Sequence, residues 1–410
     1  MPGQYGNLMG SSEHSSVATK PVVDFSNTEI AFSHKSNGAL RRTSWLFGLM
    51  NKSWLVNVGG SVGLWLHDAK INIFNPIVRA TIFKQFCGGI SLEDSTGMIE
   101  HLYKLNVLTV LDYGAEGKSK EEDFDRTLAE NLRAIKYASS NPGVPVISSK
   151  ITALASKDIL ERWQTGQLKS KEDLEAYARV QARVDKLSHA AWENGVAVFF
   201  DAEETWIQDT IDDLVKTLME RYNKEKVVVY HTYQLYRKDK LASLKQDHQE
   251  ARSKGYILGA KLVRGAYMEK ERERARTMGY PSPIQETKAD TDRDYDDAVR
   301  YCVDHYLEIA LCNASHNQQS NLLQAELIAE KQLPRNHQHL NFCQLLGMSD
   351  HITYNLARAG YNVAKYVPYG PVRDVLPYLI RRARENSAVR GEMSRELGFI
   401  VAEMKRRGMN

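Results

Sequence analysis

Eight short apolar runs rich in β-branched residues, each parted from the next by a helical stretch, restrict this chain more than any other feature. They are Val107–Asp112, Val144–Lys150, Val196–Asp201, Val227–Tyr233, Leu258–Arg264, Ile309–Asn313, Leu340–Gln344 and Val363–Val367. The runs are continuous rather than alternating, as strands buried on both faces must be. The intervening stretches carry stripes of helical period. Ile207, Ile211, Leu214 and Leu218 share one face, and Val180, Val184, Leu187 and Ala191 repeat the pattern before a stop at Gly195. Tyr295, Ala298, Val299, Cys302, Val303 and Tyr306 form another stripe behind a start signal at Thr291 and Asp292, and Ser349 and Gly360 bracket a short helix. Strands alternating with helices make an α/β protein with a parallel sheet. Eight is the number that closes a barrel. An open doubly wound sheet is the alternative, and the lack of a GxGxxG after any strand counts against it. The expected fold is a (βα)8 TIM barrel over residues 105–390.

Outside the barrel, residues 1–25 are rich in Gly, Ser and Asn and read as a disordered tail. Residues 26–104 read as a helical N-terminal extension without a motif, and 391–410 as a C-terminal tail. A formal net charge of +3 on 410 residues gives no reason to expect nucleic acid. Cys87, Cys302, Cys312 and Cys343 are scattered without a CxxC pair, so neither a disulfide framework nor a zinc site is expected, and the default is a reducing compartment. His337 and His339 follow Pro334 in a polar loop and read as solvated histidines rather than metal ligands. The first residues lack a signal sequence and are too acidic and arginine-poor for a transit peptide, so the expected location is cytoplasmic. No run reaches the ~18 apolar residues of a membrane span. The nearest, Trp54–Leu66, reads as a buried helix, with a membrane-touching surface as the alternative.

The apolar runs close on polar residues: Asp112, Lys150, Asp201 with Glu203, His231, Arg264, His316 with Asn317, Gln344, and Tyr366. A barrel enzyme gathers its active site at the C-terminal ends of its strands, so these side chains are expected in one mouth. After the last strand, Val372–Asn386 forms a helix whose packing stripe is Leu376, Leu379, Ile380 and Ala383. Tyr378, Arg381, Arg382 and Glu385 share a different face. Adjacent arginines grip one carboxylate when it lies over the seam between them, and the guanidinium fork suits that task. A solvent-facing ion-paired strip is the competing reading.

At these residues the sequence resembles the proline dehydrogenases, over most of the chain from about residue 105 to 390. Phe200-Asp201-Ala202-Glu203-Glu204 is similar to the family's third-strand motif, and Lys261-Leu262-Val263-Arg264-Gly265-Ala266-Tyr267 to its fifth. Ser315-His316-Asn317 resembles the sixth-strand motif, and Gln344 with Gly347-Met348 the seventh. Tyr378-Leu379-Ile380-Arg381-Arg382-Ala383-Arg384-Glu385-Asn386 is similar to the family's final helix. The single-function bacterial branch is the nearest in pattern.

The resemblance implies a distorted barrel with the final helix, 372–386, over its mouth, and FAD as cofactor. L-proline would be oxidised to Δ1-pyrroline-5-carboxylate by hydride transfer to flavin N5, the first step of proline catabolism to glutamate. Arg381 and Arg382 would bind the proline carboxylate, with Lys150 as a third positive partner. Tyr366 and Tyr378 would wall the pyrrolidine ring, and a tyrosine at 366 favours proline over 4-hydroxyproline. Asp201, Ala202, Lys261, Val263, Arg264, Gly265, Lys288, His316, Asn317, Gln344 and Glu385 would hold FAD. His231, where many members carry Gln or Asn, would contact the flavin too. Arg264 is the cation expected beside the reduced ring. Solvent and Asp112 both stand as acceptors of the amine proton. Reoxidation by a membrane quinone would bring the protein to the inner face of the membrane, through Trp54–Leu66 or the basic end at Lys405, Arg406 and Arg407. The competing functions are a folate-reducing barrel flavoenzyme, a Schiff-base aldolase using Lys261 or Lys150, and a catalytically silent binding barrel.

Overall fold

The computed structural model describes residues 22–50, 79–114, 120–376, 378–380 and 392–409. Its centre is a closed barrel of eight parallel strands in chain order, β8 pairing back onto β1. The strands are β1 Leu108–Tyr113, β2 Val146–Lys150, β3 Ala197–Asp201, β4 Val229–Gln234, β5 Leu258–Val263, β6 Ile309–Ala314, β7 Leu340–Leu345 and β8 Asn362–Tyr369. Each of the eight apolar runs becomes one strand, shifted by at most two residues at either end. The shifts follow from the ladder: β4 runs on to Gln234 because Gln234 pairs with Val263.

Helices cover the barrel through the stripes their sequences carry. Ile207 and Ile211 of helix Thr205–Tyr222 are fully buried, as are Leu187 and Ala191 of helix Lys171–Asn194. The helix over Lys288–Asp304 starts a turn before the expected Thr291, because Thr287 and Asp290 form a reciprocal capping box. Ser349 precedes helix Asp350–Arg358 but does not cap it with its side chain, and its backbone is left-handed at φ +52°.

The apolar interior has three parts. The main core lies between the barrel wall and its helices. A small plug inside the barrel contains Val110, Phe199, Tyr230, Cys312, Cys343 and Tyr366. A satellite core beside the mouth joins Leu40, Phe47 and Met50 of helix Asn37–Met50, Phe83 and Phe86, Val375, Tyr378 and Leu379 of the helical residues 372–376 and 378–380, and Ile400 of helix Glu392–Arg406.

Two expectations about the ends are corrected. The tail expected over 1–25 stops short of Val23 and Phe25, which are buried in the main core. The segment expected as a C-terminal tail is a packed helix whose Ile400 and Glu403 are buried. At its basic end Lys405 and Arg406 are exposed, while Arg407 turns inward and donates to the carbonyls of Phe32 and Lys35 at 2.8 and 2.7 Å, and Arg406 and Arg407 flank Glu403. Residues 1–21, the Trp54–Leu66 stretch, and Arg381, Arg382 and Glu385 lie outside the described residues.

Candidate active site

The strand ends converge as a barrel requires. One cavity at the C-terminal face is lined by Asp112, Lys150, Asp201, Ala202, Lys261, Val263, Arg264, Gly265, Lys288, His316, Asn317, Gln344, Tyr366 and Tyr378. These residues come from six strands, the loops after β3, β5 and β6, the start of helix Lys288–Asp304 and the segment after β8. The cavity also takes in Thr232, Gln234, Tyr267, Ser315 and Cys343, which the sequence reading passed over.

Its floor is organised by one carboxylate. Lys261 Nζ donates to Asp201 Oδ1 at 2.5 Å, and the Tyr366 hydroxyl donates to Asp201 Oδ2 at 2.8 Å. Burial alone would push Asp201 upward, but Lys261, Lys150 and the Tyr366 hydroxyl outweigh it and hold the carboxyl below its ordinary value. The same pairing overcomes the burial of Lys261 and keeps its ammonium charged. Lys261 also lies over the Tyr366 and Phe199 rings, 4.9 and 5.3 Å from their centroids. Tyr366 therefore presents its ring to the mouth while its hydroxyl is tied to Asp201 and, at 3.2 Å, to Ser148.

A second cluster sits where β5 meets β6. Arg264 stacks over Tyr295 at 4.3 Å and donates to Asp292, Ser315 and Ser320 at 2.8, 2.9 and 3.0 Å. Lys288 reaches the other oxygen of Asp292 at 2.5 Å. Two cations thus share one carboxylate at the cavity wall, with Asp296 behind Ser320. Asn317 caps its own helix by accepting from Gln319 and Ser320, and Gln344 is buried among Ser315, Asn321 and Thr353. Both frame the cavity through the scaffold.

The second acidic residues of the third-strand motif bind loops. Glu203 accepts from the Thr152 backbone N–H at 2.9 Å and from its hydroxyl, fixing the turn that follows Lys150. Glu204 pairs with Lys157 and Lys270, in the first turns of helices Lys157–Gln164 and Met268–Met278.

His231 is a correction. Its ring turns away from the mouth and lies 2.8 Å from Asp212, in a buried polar layer with Lys240. The alternation of β4 sends Tyr230, Thr232 and Gln234 inward and His231 outward. Gln234 occupies the mouth instead, and its side chain donates to the Glu203 carbonyl at 2.8 Å. The signal that could have found it was strand parity, counted from the inward residues of β3.

Among the described residues no cluster of His, Cys, Asp or Glu could hold a metal, and no helix is long and apolar enough to cross a membrane. His339 Nδ1 instead lies 2.8 Å from the Tyr306 carbonyl, and the four cysteines are buried and unpaired. The donor set fits a dinucleotide flavin: Arg264 and Lys288 offer positive charge for phosphates, while Lys261 and Gln234 keep further N–H donors for a polar ring edge.

The sequence profile of the proline dehydrogenase family matches residues 96–395. The chain is 32% identical over 402 residues to the mitochondrial proline dehydrogenase 1 of Dictyostelium discoideum, covering 87% of this chain and 69% of that one. It is 34% identical over 322 residues to the carbapenem antibiotics biosynthesis protein CarD of Pectobacterium carotovorum, covering 78% and 83%. Among solved structures, proline utilization A (PutA) from Bdellovibrio bacteriovorus superposes with a TM-score of 0.69 at 22% identity. That alignment covers 90% of this chain but 37% of the other, so it bears on the fold.

Proposed function

The chain belongs to the proline dehydrogenase family, and on that premise we propose that its barrel mouth binds FAD and oxidises L-proline to Δ1-pyrroline-5-carboxylate. The observation that carries this reading is the Tyr366–Asp201–Lys261 floor beneath a cavity walled by Arg264 and Lys288. When bound, FAD supplies the two-electron acceptor that no side chain provides. Everything else falls to the residues of this chain.

Lys261, Arg264, Lys288 and His316 line the cavity and would hold the cofactor's polar groups, with Gly265, Val263 and Ala202 lining it beside them. The Tyr366 ring, held in place by Asp201, forms one wall for the pyrrolidine, and Tyr378 on the final helix forms another. Arg381 and Arg382, three and four residues after Tyr378 in the sequence, would clamp the substrate carboxylate, with Lys150 adding charge from the end of β2. Fixing the substrate at both its carboxylate and its ring restricts the reacting carbon to one approach, the source of proximity effects worth several kcal/mol, of order 10 at most. The amine must lose its proton before the C–N bond is oxidised. Solvent or Asp112, which lines the mouth at the end of β1, would accept that proton.

Electrons leave to a membrane quinone at the inner face of the cytoplasmic membrane. Unpaired buried cysteines fit a reducing compartment. A Schiff-base aldolase needs a neutral lysine, and Lys261 is held protonated by Asp201.

The test is spectroscopic. The purified protein is expected to show flavin bands that bleach when L-proline, but not other amino acids, is added without oxygen. A flavin-bearing protein indifferent to L-proline would overturn the substrate, and a protein that takes up no added FAD would overturn the cofactor.

A further inference from the structure

The geometry points to Glu396, outside the barrel on helix Glu392–Arg406, as a positioning residue for the mouth: through the backbone N–H and hydroxyl of Ser349 it fixes His316 at the cavity wall. The inference rests on the reading of His316 as a flavin contact.

Ser349 stands at the centre. Its N–H donates to Glu396 Oε1 at 2.6 Å, and its Oγ lies 2.9 Å from His316 Nδ1. Its backbone is left-handed at φ +52°, a conformation that costs a non-glycine residue about 1–3 kcal/mol unless its surroundings enforce it. The enforcement is visible. Directly before it, the Met348 carbonyl accepts from Lys365, and the Gly347 carbonyl accepts from Gln85 Nε2 at 2.9 Å. Directly after it, Asp350 is bound by Lys365 and Lys35 at 2.9 and 3.0 Å. The left-handed turn withdraws the hydroxyl from the cap of helix Asp350–Arg358, where a serine at this position ordinarily serves, and directs it to His316.

Lys365 and Lys35 act on the Glu396 carboxyl electrostatically, but both are bound directly to Asp350. Burial first, and Asp350 second, push it up to about 8. At neutral pH it is therefore mostly the neutral acid, and its working contact is the acceptor oxygen that receives the Ser349 N–H. The amide of glutamine offers the same acceptor. A residue on the far side of the satellite core thereby reaches the wall of the mouth in two hydrogen-bonded steps.

The experiment compares Glu396→Gln, Glu396→Ala and Ser349→Ala in the full chain. Two quantities are read: FAD dissociation from the apoprotein by flavin fluorescence, and the His316 imidazole resonances of the flavin-free protein by NMR. Glu396→Gln is expected to match the starting protein. Glu396→Ala and Ser349→Ala are each expected to weaken FAD about tenfold, the worth of one well-made hydrogen bond, and to shift the His316 signals. The double variant should be no worse than either single change. Ser349→Ala retains the N–H to Glu396, so it carries the test if Glu396→Ala fails to fold. FAD binding and His316 signals unchanged in Ser349→Ala would overturn the inference while leaving the flavin reading intact. If the starting protein binds no FAD yet the His316 signals respond, the flavin reading fails and the positioning stands.

Discussion

Asp201 carries two obligations in one buried carboxylate, and their consequences can be measured apart. It neutralises Lys261, and it holds the Tyr366 hydroxyl so that the ring faces the mouth. Asp201→Ala strands a buried ammonium, an error that costs about 3–5 kcal/mol. We expect a loss of that size in urea unfolding at pH 7. Because the native carboxyl is held below its unfolded value, the folded state binds fewer protons than the unfolded state in acid. Its contribution is therefore complete above about pH 4 and fades as pH falls through the native value. The acid limb of the stability curve should flatten in Asp201→Ala, and an unchanged limb would show that Asp201 is not the group being titrated. Asp201 was legible in the sequence because it closes an apolar run, and the structure turns it inward. His231 met the first of those conditions and failed the second. An apolar run records that a strand is buried on both sides, but not which side each residue takes, since His231 finds a partner in Asp212 just as Asp201 finds one in Lys261.

At the scale of elements, all eight strands were readable because burial on both faces demands continuous apolar runs. The loops that shape the mouth were not. Their geometry depends on contacts distant in sequence, such as Gln85 with Gly347. Gly347 shows the constraint most sharply: its φ is +79°, and a Cβ there would stand 2.1 Å from the Gln85 carbonyl oxygen. Both the conformation and the contact oppose a side chain. Gly265, at the end of β5, has φ +136°, and a Cβ would meet the Tyr236 ring at 2.5 Å. The two differ in what gives way. At Gly347 the obstacle is backbone of the N-terminal extension, so Gly347→Ala should shift Gln85 and the β7 loop together and cost about 2 kcal/mol or more in thermal unfolding. At Gly265, which lines the cavity, φ and the buried Tyr236 ring also oppose a side chain, so Gly265→Ala should cost stability and in addition weaken FAD. Equal FAD affinity in the two variants would contradict this division.

Across the whole molecule, the N-terminal extension and the C-terminal helix build a second core whose purpose the sequence left unreadable. Neither segment carries a motif, and their apolar residues meet only in three dimensions. The satellite core they form contains Tyr378, which also lines the mouth, whereas the main core supports the barrel wall. Stability and substrate binding should therefore separate. Ile400 and Ile211 are both buried isoleucines, the first in the satellite core and the second in the main core. Truncating either to alanine should cost a similar 2–5 kcal/mol, roughly, from lost burial and the cavity left behind. Only Ile400→Ala loosens the support of residues 372–376 and 378–380, and with it the Tyr378 wall. With FAD saturating, we expect the KM for L-proline to rise about tenfold in Ile400→Ala and to stay near its starting value in Ile211→Ala. A KM that follows stability equally in both would mean that the final helix is held by the barrel rim alone, and that the satellite core serves solubility rather than the substrate.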